Sequence, residues 1–330
     1  MMNIIKKTKS ICPICIVELD SQVIEENNKI YMLKKCKKHG TFKNVISNDA
    51  DYYKKTTDFY YTFDVRKNKG LIPKKQEYYN MFLTMECILK CPVCYVNAPN
   101  KDYKEPTIDW IKNKLKYFKN VKVGMFGGEP TLRKDIVEIT KLIKDSGNIP
   151  ALHTDGIKIG SNYDFLKKIK DAGLVDLHLQ FDGFDEKAYE IQRGEKLLNI
   201  KKKALDNIKK LDIGTILQVT LSKDVNDKQI KPIFDFSIKN DFVKGILYKS
   251  VSYQGVKGLS LNHQITVDDQ IKIFERETKG RVTKKDFVQF QKLFYIYLNL
   301  VKTPRCFYNH YFVVLRTKEG YKTISELINL

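Results

Sequence analysis

Six of the seven cysteines fall into two compact groups, and the spacing of each group suits a different kind of metal site. The second group, Cys87, Cys91 and Cys94, places three thiols within a span of eight residues. A structural zinc ion takes four protein ligands, so this triplet cannot close such a site by itself. Three thiolates can instead bind three irons of a 4Fe–4S cluster and leave the fourth iron open for a substrate. The alternative is a structural iron or zinc site that takes a distant fourth ligand.

The first group pairs Cys12 with Cys15 and, after twenty intervening residues, Cys36 with His39. Each pair offers two ligands from one tight turn, and three thiolates with one imidazole make a closed tetrahedral shell. Because a closed shell has no position for a substrate, this site is predicted to be structural. We predict zinc here, with mononuclear iron of the rubredoxin type as the alternative metal and four unliganded side chains as the remaining interpretation.

Hydrophobic periodicity predicts the elements that position the triplet. From about residue 78 onward, short apolar runs alternate with stretches whose apolar residues recur every three or four positions, the patterns of buried parallel strands and of helices. The predicted strands cover residues 81–85, 121–126, 149–153, 174–181, 213–221 and 243–251. The first five are each followed by a predicted helix, which indicates an α/β fold built on a partial (β/α)6 barrel of the TIM type. In such folds the chemistry lies in loops at the carboxyl ends of the strands.

The chain is predicted to have three parts. Residues 1–75 form a Cys3His metal-binding module of the zinc-ribbon or rubredoxin-like kind, and residues 76–262 form the barrel. Residues 263–330 form an α-rich extension that packs on the barrel or caps it, with helices at about 267–278 and 287–301 and a last strand near 311–315. Cys306 stands alone in this extension and is predicted to be a buried apolar cysteine rather than a ligand.

The triplet, at the end of the first predicted strand, resembles the signature of the radical S-adenosylmethionine (SAM) superfamily. Gly127, Gly128, Glu129 and Pro130 end the second strand and look like the GGEP motif of that family. In the family, SAM chelates the open iron, and one electron cleaves its sulfonium to methionine and a 5′-deoxyadenosyl radical. The resemblance implies that the two glycines let backbone polar groups approach the SAM ammonium, while Glu129 adds negative charge.

The same resemblance implies SAM contacts at the ends of the later strands. Asp155 follows the third strand, where relatives usually have Asn. The fourth strand runs into Gln180 and Asp182, which are implied on the ribose side of SAM. Arg193 is implied as a partner of the SAM carboxylate, and Thr220, near the end of the fifth strand, as a neighbour of adenine.

A metal module ahead of such a barrel narrows the resemblance to the archaeal tetraether lipid synthases and their relatives. Residues 91–95 and 221–227 are similar to that group, and Tyr95 is therefore expected at the SAM pocket. Those enzymes abstract hydrogen from lipid methyl groups, form carbon–carbon bonds and carry further iron–sulfur clusters in C-terminal extensions. Only Cys306 follows Cys94 in this chain, so the resemblance extends to the radical step and not to further all-cysteine clusters.

Composition limits the partners. The chain has 59 lysines and arginines against 39 aspartates and glutamates, a net charge of +20. This excess indicates either a lysine-rich solubilising surface or attraction to an anionic partner such as a phosphorylated lipid, an acidic peptide or RNA. We see no signal peptide and no apolar run near the roughly 20 residues that a membrane span needs, so a cytoplasmic location is expected, with peripheral membrane contact left open.

These patterns favour a radical SAM enzyme that abstracts hydrogen from a small molecule or a lipid, with a ferredoxin or flavodoxin as the kind of electron donor. A peptide or an RNA base is the alternative substrate. A hypothesis from another class is a non-catalytic, metal-stabilised nucleic-acid-binding protein whose positive charge supplies the affinity. The triplet together with the GGEP motif favours the enzyme.

Overall fold

The computed structural model describes residues 2–61, 78–251, 263–301 and 310–328. The chain divides into two units, one made of Met1–Lys74 together with Ile265–Leu330 and the other of Lys75–Gln264. The extension therefore belongs to the same unit as the N-terminal module, while the division into three parts stays a prediction. Among the described residues, none of the helices has the length and apolarity that crossing a bilayer requires.

The first unit begins with a four-stranded antiparallel sheet in sequential strand order. Its elements are β1 (Asn3–Ile11), β2 (Glu18–Glu26), β3 (Lys29–Cys36) and β4 (Gly40–Ser47), followed by helix α1 (Ala50–Tyr61). Asn27 and Asn28 both have positive φ, +50° and +59°, which suits the two-residue turn between β2 and β3. Val23, Ile30 and Ala50 form a small buried core between the sheet and the start of α1.

The second unit is the predicted α/β fold, with six parallel strands in the order of the sequence. The strands are β5 (Tyr78–Thr84), β6 (Lys122–Gly127), β7 (Ile149–Thr154), β8 (Asp176–Gln180), β9 (Thr215–Leu221) and β10 (Val243–Ser250). The helices are α2 (Ile108–Leu115), α3 (Ile136–Asp145), α4 (Ile157–Ser161), α5 (Tyr163–Asp171), α6 (Glu186–Arg193), α7 (Leu198–Lys210) and α8 (Ile230–Lys239). All six predicted strands are present, and α4 and α6 are additional to the predicted helices.

The two faces of this sheet differ in chemistry. Fully buried side chains from the strands and the helices, such as Met125, Leu152 and Ile139, form the core. Burial of each such side chain contributes about 1.5–3 kcal/mol. Polar side chains alternate with the apolar ones along the strands, as Gln218 does between Leu217 and Val219. The inner face of the partial barrel is therefore polar where the core face is apolar.

The C-terminal part of the first unit contains the two predicted helices, α9 (Val267–Glu277) and α10 (Lys284–Val301). It ends in a hairpin of β11 (Val314–Thr317) and β12 (Gly320–Thr323) and in the short helix α11 (Ile324–Leu327). The Asp268 carboxylate accepts hydrogen bonds of 3.2 and 3.0 Å from the backbone N–H of Asn48, so α9 contacts the end of the N-terminal sheet. Cys306 lies outside the described residues.

Candidate active site

The N-terminal metal site is assembled by two turns of the antiparallel sheet. The ligand atoms of Cys12, Cys15, Cys36 and His39 all lie within 4.8 Å of one another. The Cys15 and Cys36 sulfurs are 3.9 Å apart, and the Cys36 sulfur is 3.6 Å from His39 Nδ1. Zinc–sulfur bonds of about 2.3 Å in a tetrahedron place two sulfurs about 3.8 Å apart, so this donor set fits zinc.

Backbone groups prepare one of these thiols for a metal. Burial opposes ionisation, but hydrogen bonds from the backbone of Cys15 and Ile14 lower the pKa of Cys12 to about 6. A thiolate that is present near neutral pH binds a metal without first releasing a proton. The predicted Cys3His site is therefore brought together as a closed set.

The cysteine triplet lies on the loop that follows β5 and opens into a cavity. All three thiols line this cavity, whose volume is about 510 Å³, within the range of ligand sites. The loop is held by backbone hydrogen bonds, including one of 3.1 Å from the N–H of Cys94 to the carbonyl of Cys91. Buried Leu89 and Tyr189 pack beside Cys87 and Cys91. The thiols are thus presented from a folded loop.

Burial favours the protonated form of two thiols of the triplet, those of Cys87 and Cys91, when no metal is present. It raises the pKa of Cys87 to about 12, and the carboxylates of Asp155 and Glu129 act in the same direction. Burial also raises the pKa of Cys91, although the Arg193 guanidinium partly opposes the shift. Binding of iron to these sulfurs must therefore release protons.

The two glycines of the GGEP motif join the loop after β6 to the triplet loop. A Cβ atom on Gly127 would lie 2.0 Å from the carbonyl oxygen of Thr84, and one on Gly128 would lie 2.2 Å from that of Glu86. The N–H of Gly128 donates to the Thr84 carbonyl at 2.8 Å. Glycine is required here because two backbones approach too closely for a side chain. Both glycines line the cavity.

Glu129 is buried, with 2% of its surface exposed, and it lies behind the cavity wall. Its carboxylate accepts hydrogen bonds from the Thr131 and Thr154 hydroxyls at 2.6 and 2.9 Å and from the N–H of Asp155 at 2.6 Å. Burial raises the pKa of Glu129 to about 8. Glu129 and Pro130 do not line the cavity as the described residues enclose it, so Glu129 joins the loops that follow β6 and β7.

Asp182 has a similar supporting place behind Arg193. The guanidinium of Arg193 donates from Nε to Asp182 Oδ2 at 2.7 Å and from Nη2 to Oδ1 at 3.0 Å, a bidentate ion pair. Nη2 also lies 3.0 Å from the Thr220 hydroxyl. Arg193 and Thr220 line the cavity and the fully buried Asp182 carboxylate does not, as far as the described part of the chain bounds it. Asp182 therefore orients Arg193.

Two side chains in the cavity wall have polar atoms for which the described part of the chain offers no partner. Oδ2 of Asp155 and Nε2 of Gln180 are buried, and neither has a hydrogen-bond partner among the described residues. A buried polar atom left unpaired costs about 1–3 kcal/mol, so such atoms indicate a missing ligand. One is an acceptor and the other a donor, as a polar ligand such as SAM requires. Tyr95, which is 60% exposed, lines the same cavity.

The inner face of the sheet adds residues to the cavity that were not predicted as site residues. His153 and His178 stack with ring centroids 4.2 Å apart. Gln218 Nε2 donates to the Nδ1 atoms of both rings, at 3.1 and 2.8 Å. Lys249 also lines the cavity. The alternation of polar and apolar residues in β9 is the sequence signal that could have indicated this face.

Comparison with known proteins gives two family matches. Residues 81–237 match the radical SAM superfamily, and residues 4–48 match the HMPTM N-terminal zinc ribbon domain. The chain is 37% identical over 308 residues to 7,8-dihydro-6-hydroxymethylpterin dimethyltransferase of Methanocaldococcus jannaschii, covering 86% of this chain and 60% of that relative. It is 30% identical over 160 residues to a probable GTP 3′,8-cyclase of Pyrococcus abyssi, covering 48% and 51% of the two chains.

Solved structures agree with the fold. The crystal structure of Streptococcus suis SuiB bound to its precursor peptide SuiA superposes with a TM-score of 0.53, covering 82% of this chain and 70% of SuiB. The sequence identity is 15%, so the likeness concerns the fold alone. None of the relatives described above confirms the narrower resemblance to tetraether lipid synthases.

Proposed function

Because the chain belongs to the radical SAM superfamily and carries an N-terminal zinc ribbon, we propose that this enzyme holds its 4Fe–4S cluster on Cys87, Cys91 and Cys94. SAM would occupy the adjoining cavity. One observation carries the proposal: the three thiols line the same cavity as Asp155 and Gln180, and each of these two side chains has a buried polar atom without a partner among the described residues. When bound, the cluster and SAM supply one-electron cleavage of a sulfonium, and with it the abstraction of hydrogen from carbon.

The residues of the chain would bind and orient these groups. Gly127 and Gly128 let the end of β6 pack against the backbone of the triplet loop, and both glycines line the cavity. Arg193, fixed by Asp182, offers a positive charge to a ligand carboxylate. The Asp155 carboxylate and the Gln180 amide offer an acceptor and a donor from the ends of β7 and β8. Thr220 lies beside Arg193 and completes the polar contacts that the sequence predicts.

We further propose a pterin-like nitrogen heterocycle as the substrate, modified at carbon. The support is the 37% identity to a pterin dimethyltransferase, which makes methyl transfer the first reaction to test. The cavity suits a flat ring, because the stacked imidazoles of His153 and His178 lie beside the Phe126 ring, 5.1 Å from that of His153. Lys249 offers a positive charge to an anionic substituent. A lipid substrate finds no support in these relatives.

The electron donor and the location of the protein remain predictions from the sequence. An electron donor of the ferredoxin or flavodoxin kind and a cytoplasmic location belong to the proposal and rest on the sequence. A peptide substrate has only a likeness of fold behind it. The hypothesis of a non-catalytic nucleic-acid-binding protein is wrong, because the chain is a radical SAM enzyme.

The cluster is tested by anaerobic reconstitution. We expect about four irons and four sulfides per barrel beyond the metal of the ribbon. Reduction with dithionite in the presence of SAM should then release 5′-deoxyadenosine. Cys91→Ala should lose both, while Cys306→Ala serves as a matched loss of one thiol outside the triplet and should retain both. Undiminished 5′-deoxyadenosine release by Cys91→Ala would refute the assignment.

The substrate is tested by adding candidates to the same reaction. With 7,8-dihydro-6-hydroxymethylpterin, we expect faster release of 5′-deoxyadenosine and a pterin product of changed mass. A long-chain phospholipid and an unrelated acidic peptide are the comparison substrates. Faster release with either of these and none with the pterin would replace the pterin proposal while leaving the cluster assignment intact.

A further inference from the structure

Lys201 is a fully buried lysine whose ammonium group lies at the carboxyl ends of two strands of the barrel. Its Nζ donates to the backbone carbonyl of Asp155, at the end of β7. It also donates to the backbone carbonyl of Gln180, at 3.0 Å, and to the side-chain Oε1 of the same residue. All three contacts are with oxygens of residues that line the cavity, whereas Lys201 lies outside the described cavity lining. Lys201 belongs to none of the sequence motifs.

The contact with Oε1 determines which way the Gln180 amide faces. A lysine ammonium has only donors, so the side-chain atom next to it must be the amide oxygen. The amide nitrogen is thereby turned away from Lys201. That nitrogen is the buried donor in the cavity wall for which the described residues supply no partner. The oxygen and nitrogen of a glutamine amide are usually told apart by their hydrogen-bond partners. Here Lys201 is the partner that identifies the oxygen of Gln180.

Asp155 is held in a comparable way. Lys201 binds its carbonyl, Oδ1 accepts a hydrogen bond of 2.8 Å from the N–H of Ile157, and its own N–H donates to Glu129. Only Oδ2 is left without a partner in the described part of the chain. Two neighbouring strand ends therefore hold one fixed donor and one fixed acceptor on residues that line the same cavity, and Lys201 contacts both residues.

We propose that Lys201 is a positioning residue that fixes Gln180 Nε2 as a donor and Asp155 Oδ2 as an acceptor for a ligand bearing hydroxyl groups. A hydroxyl accepts one hydrogen bond and donates another, so the sugar of a nucleoside ligand matches this pair. The inference rests on the proposed function, in which the cavity binds SAM. It adds Lys201, a buried residue of helix α7, which would affect the affinity for SAM without contacting SAM.

The test is a double-mutant cycle on SAM binding, measured by equilibrium dialysis with the anaerobically reconstituted enzyme. We expect Lys201→Met and Gln180→Met each to raise the dissociation constant about tenfold or more, the size of one lost hydrogen bond of about 1.4 kcal/mol. If Lys201 acts through Gln180, the double variant should bind no more weakly than the weaker single variant. Thermal unfolding and zinc content show whether each variant is folded.

A purely structural lysine gives a different result. Lys201→Met would then lower the melting temperature and leave the dissociation constant unchanged, or the two effects on binding would multiply. Either outcome overturns the proposal. If the unmutated enzyme itself fails to bind SAM, the proposed function fails instead, so the two failures are distinguishable.

Gln180→Glu keeps the test decisive if Lys201→Met does not fold. This variant retains an oxygen for Lys201 and replaces the Nε2 donor by a second oxygen. We expect about tenfold weaker SAM binding together with an unchanged or higher melting temperature, because the contact with Lys201 becomes an ion pair. SAM binding as tight as that of the unmutated enzyme would overturn the proposed orientation of the amide.

Discussion

The chain contains two cysteine sites that share a ligand type and differ in closure. In the first unit, three thiols and an imidazole lie within 4.8 Å of one another and satisfy a metal by themselves. In the second unit, three thiols line a cavity together with polar side chains from the ends of neighbouring strands. The first arrangement suits a structural metal, and the second suits a group that must meet a further ligand.

The two sites also differ in how far apart in the sequence their residues lie. The closed site takes its ligands from two turns of one antiparallel sheet, between Cys12 and His39. The open site depends on parallel topology, because only a parallel sheet brings the carboxyl ends of β5 to β9 to one edge. Damage to the closed site should therefore affect folding first, and damage to the open site should affect ligand binding first.

The largest expected effect is the loss of the closed site. Cys12→Ala removes one of four ligands, and because metal binding and folding are coupled, we expect loss of zinc and destabilisation of the first unit by several kcal/mol. Metal analysis and thermal unfolding provide the measurement. Ile14→Ala, in the same turn and 62% exposed, is the matched control and should retain the metal. A full equivalent of zinc in Cys12→Ala would contradict the closed site. Loss of the iron of the barrel as well would contradict the independence of the two sites.

A smaller effect is expected when the open site is altered by one methyl group. In Gly128→Ala, the new Cβ would lie 2.2 Å from the carbonyl oxygen of Glu86, so the triplet loop must move, at a cost of about 1–3 kcal/mol. We expect loss of SAM binding with the zinc content unchanged. Gly245→Ala is the control, because its Cβ would meet only Ile216, at 4.0 Å. SAM binding by Gly128→Ala at the level of the control would contradict the close approach of the two loops.

Much of the fold was predictable because local and tertiary preferences agree in the barrel. The six strands are short apolar runs, and the principal helices carry apolar residues at helical spacing, so periodicity identifies both. Helix α1 was not predicted as a helix. Its segment reads as polar and aromatic, and its first turn is stabilised by burial of Ala50 and Tyr52, which the local sequence does not reveal.

The sequence indicates which residues belong to the candidate site better than it indicates where each of them lies relative to the cavity. Most of the predicted SAM contacts line one cavity, whereas Glu129 and Asp182 hold other residues from behind its wall. A lysine in a helix is expected on the surface, because buried lysines are rare. The sequence of α7 therefore does not distinguish Lys201 from its neighbours Lys202 and Lys203. Such placement depends on which helix face meets a strand end, and a motif does not contain that information.

The smallest expected effect concerns protons in the open site. Burial lowers the pKa of His153 to about 3, with the neighbouring His178 and Lys249 adding to the shift. The unfolded chain takes up this proton near pH 6.5 and the folded chain does not, so stability is complete above pH 6.5 and falls as the pH drops toward 3. Between pH 7 and pH 5 the titration of His153 should lower the free energy of unfolding by about 1–2 kcal/mol. Partial exposure of the ring to water limits the size of this loss.

His153→Gln keeps a hydrogen-bonding side chain and removes the titration. We therefore expect its free energy of unfolding to fall less between pH 7 and pH 5 than that of the unmutated protein. Trp110, the single tryptophan, lies in α2, so its fluorescence during urea unfolding follows the barrel unit and not the ribbon. His263→Gln, at a half-buried histidine of the same unit that lies outside the cavity lining, is the control. Equal acid sensitivity of His153→Gln and the unmutated protein would mean that His153 is protonated in the folded barrel, and the inner face would then carry a positive charge beside the ligand cavity.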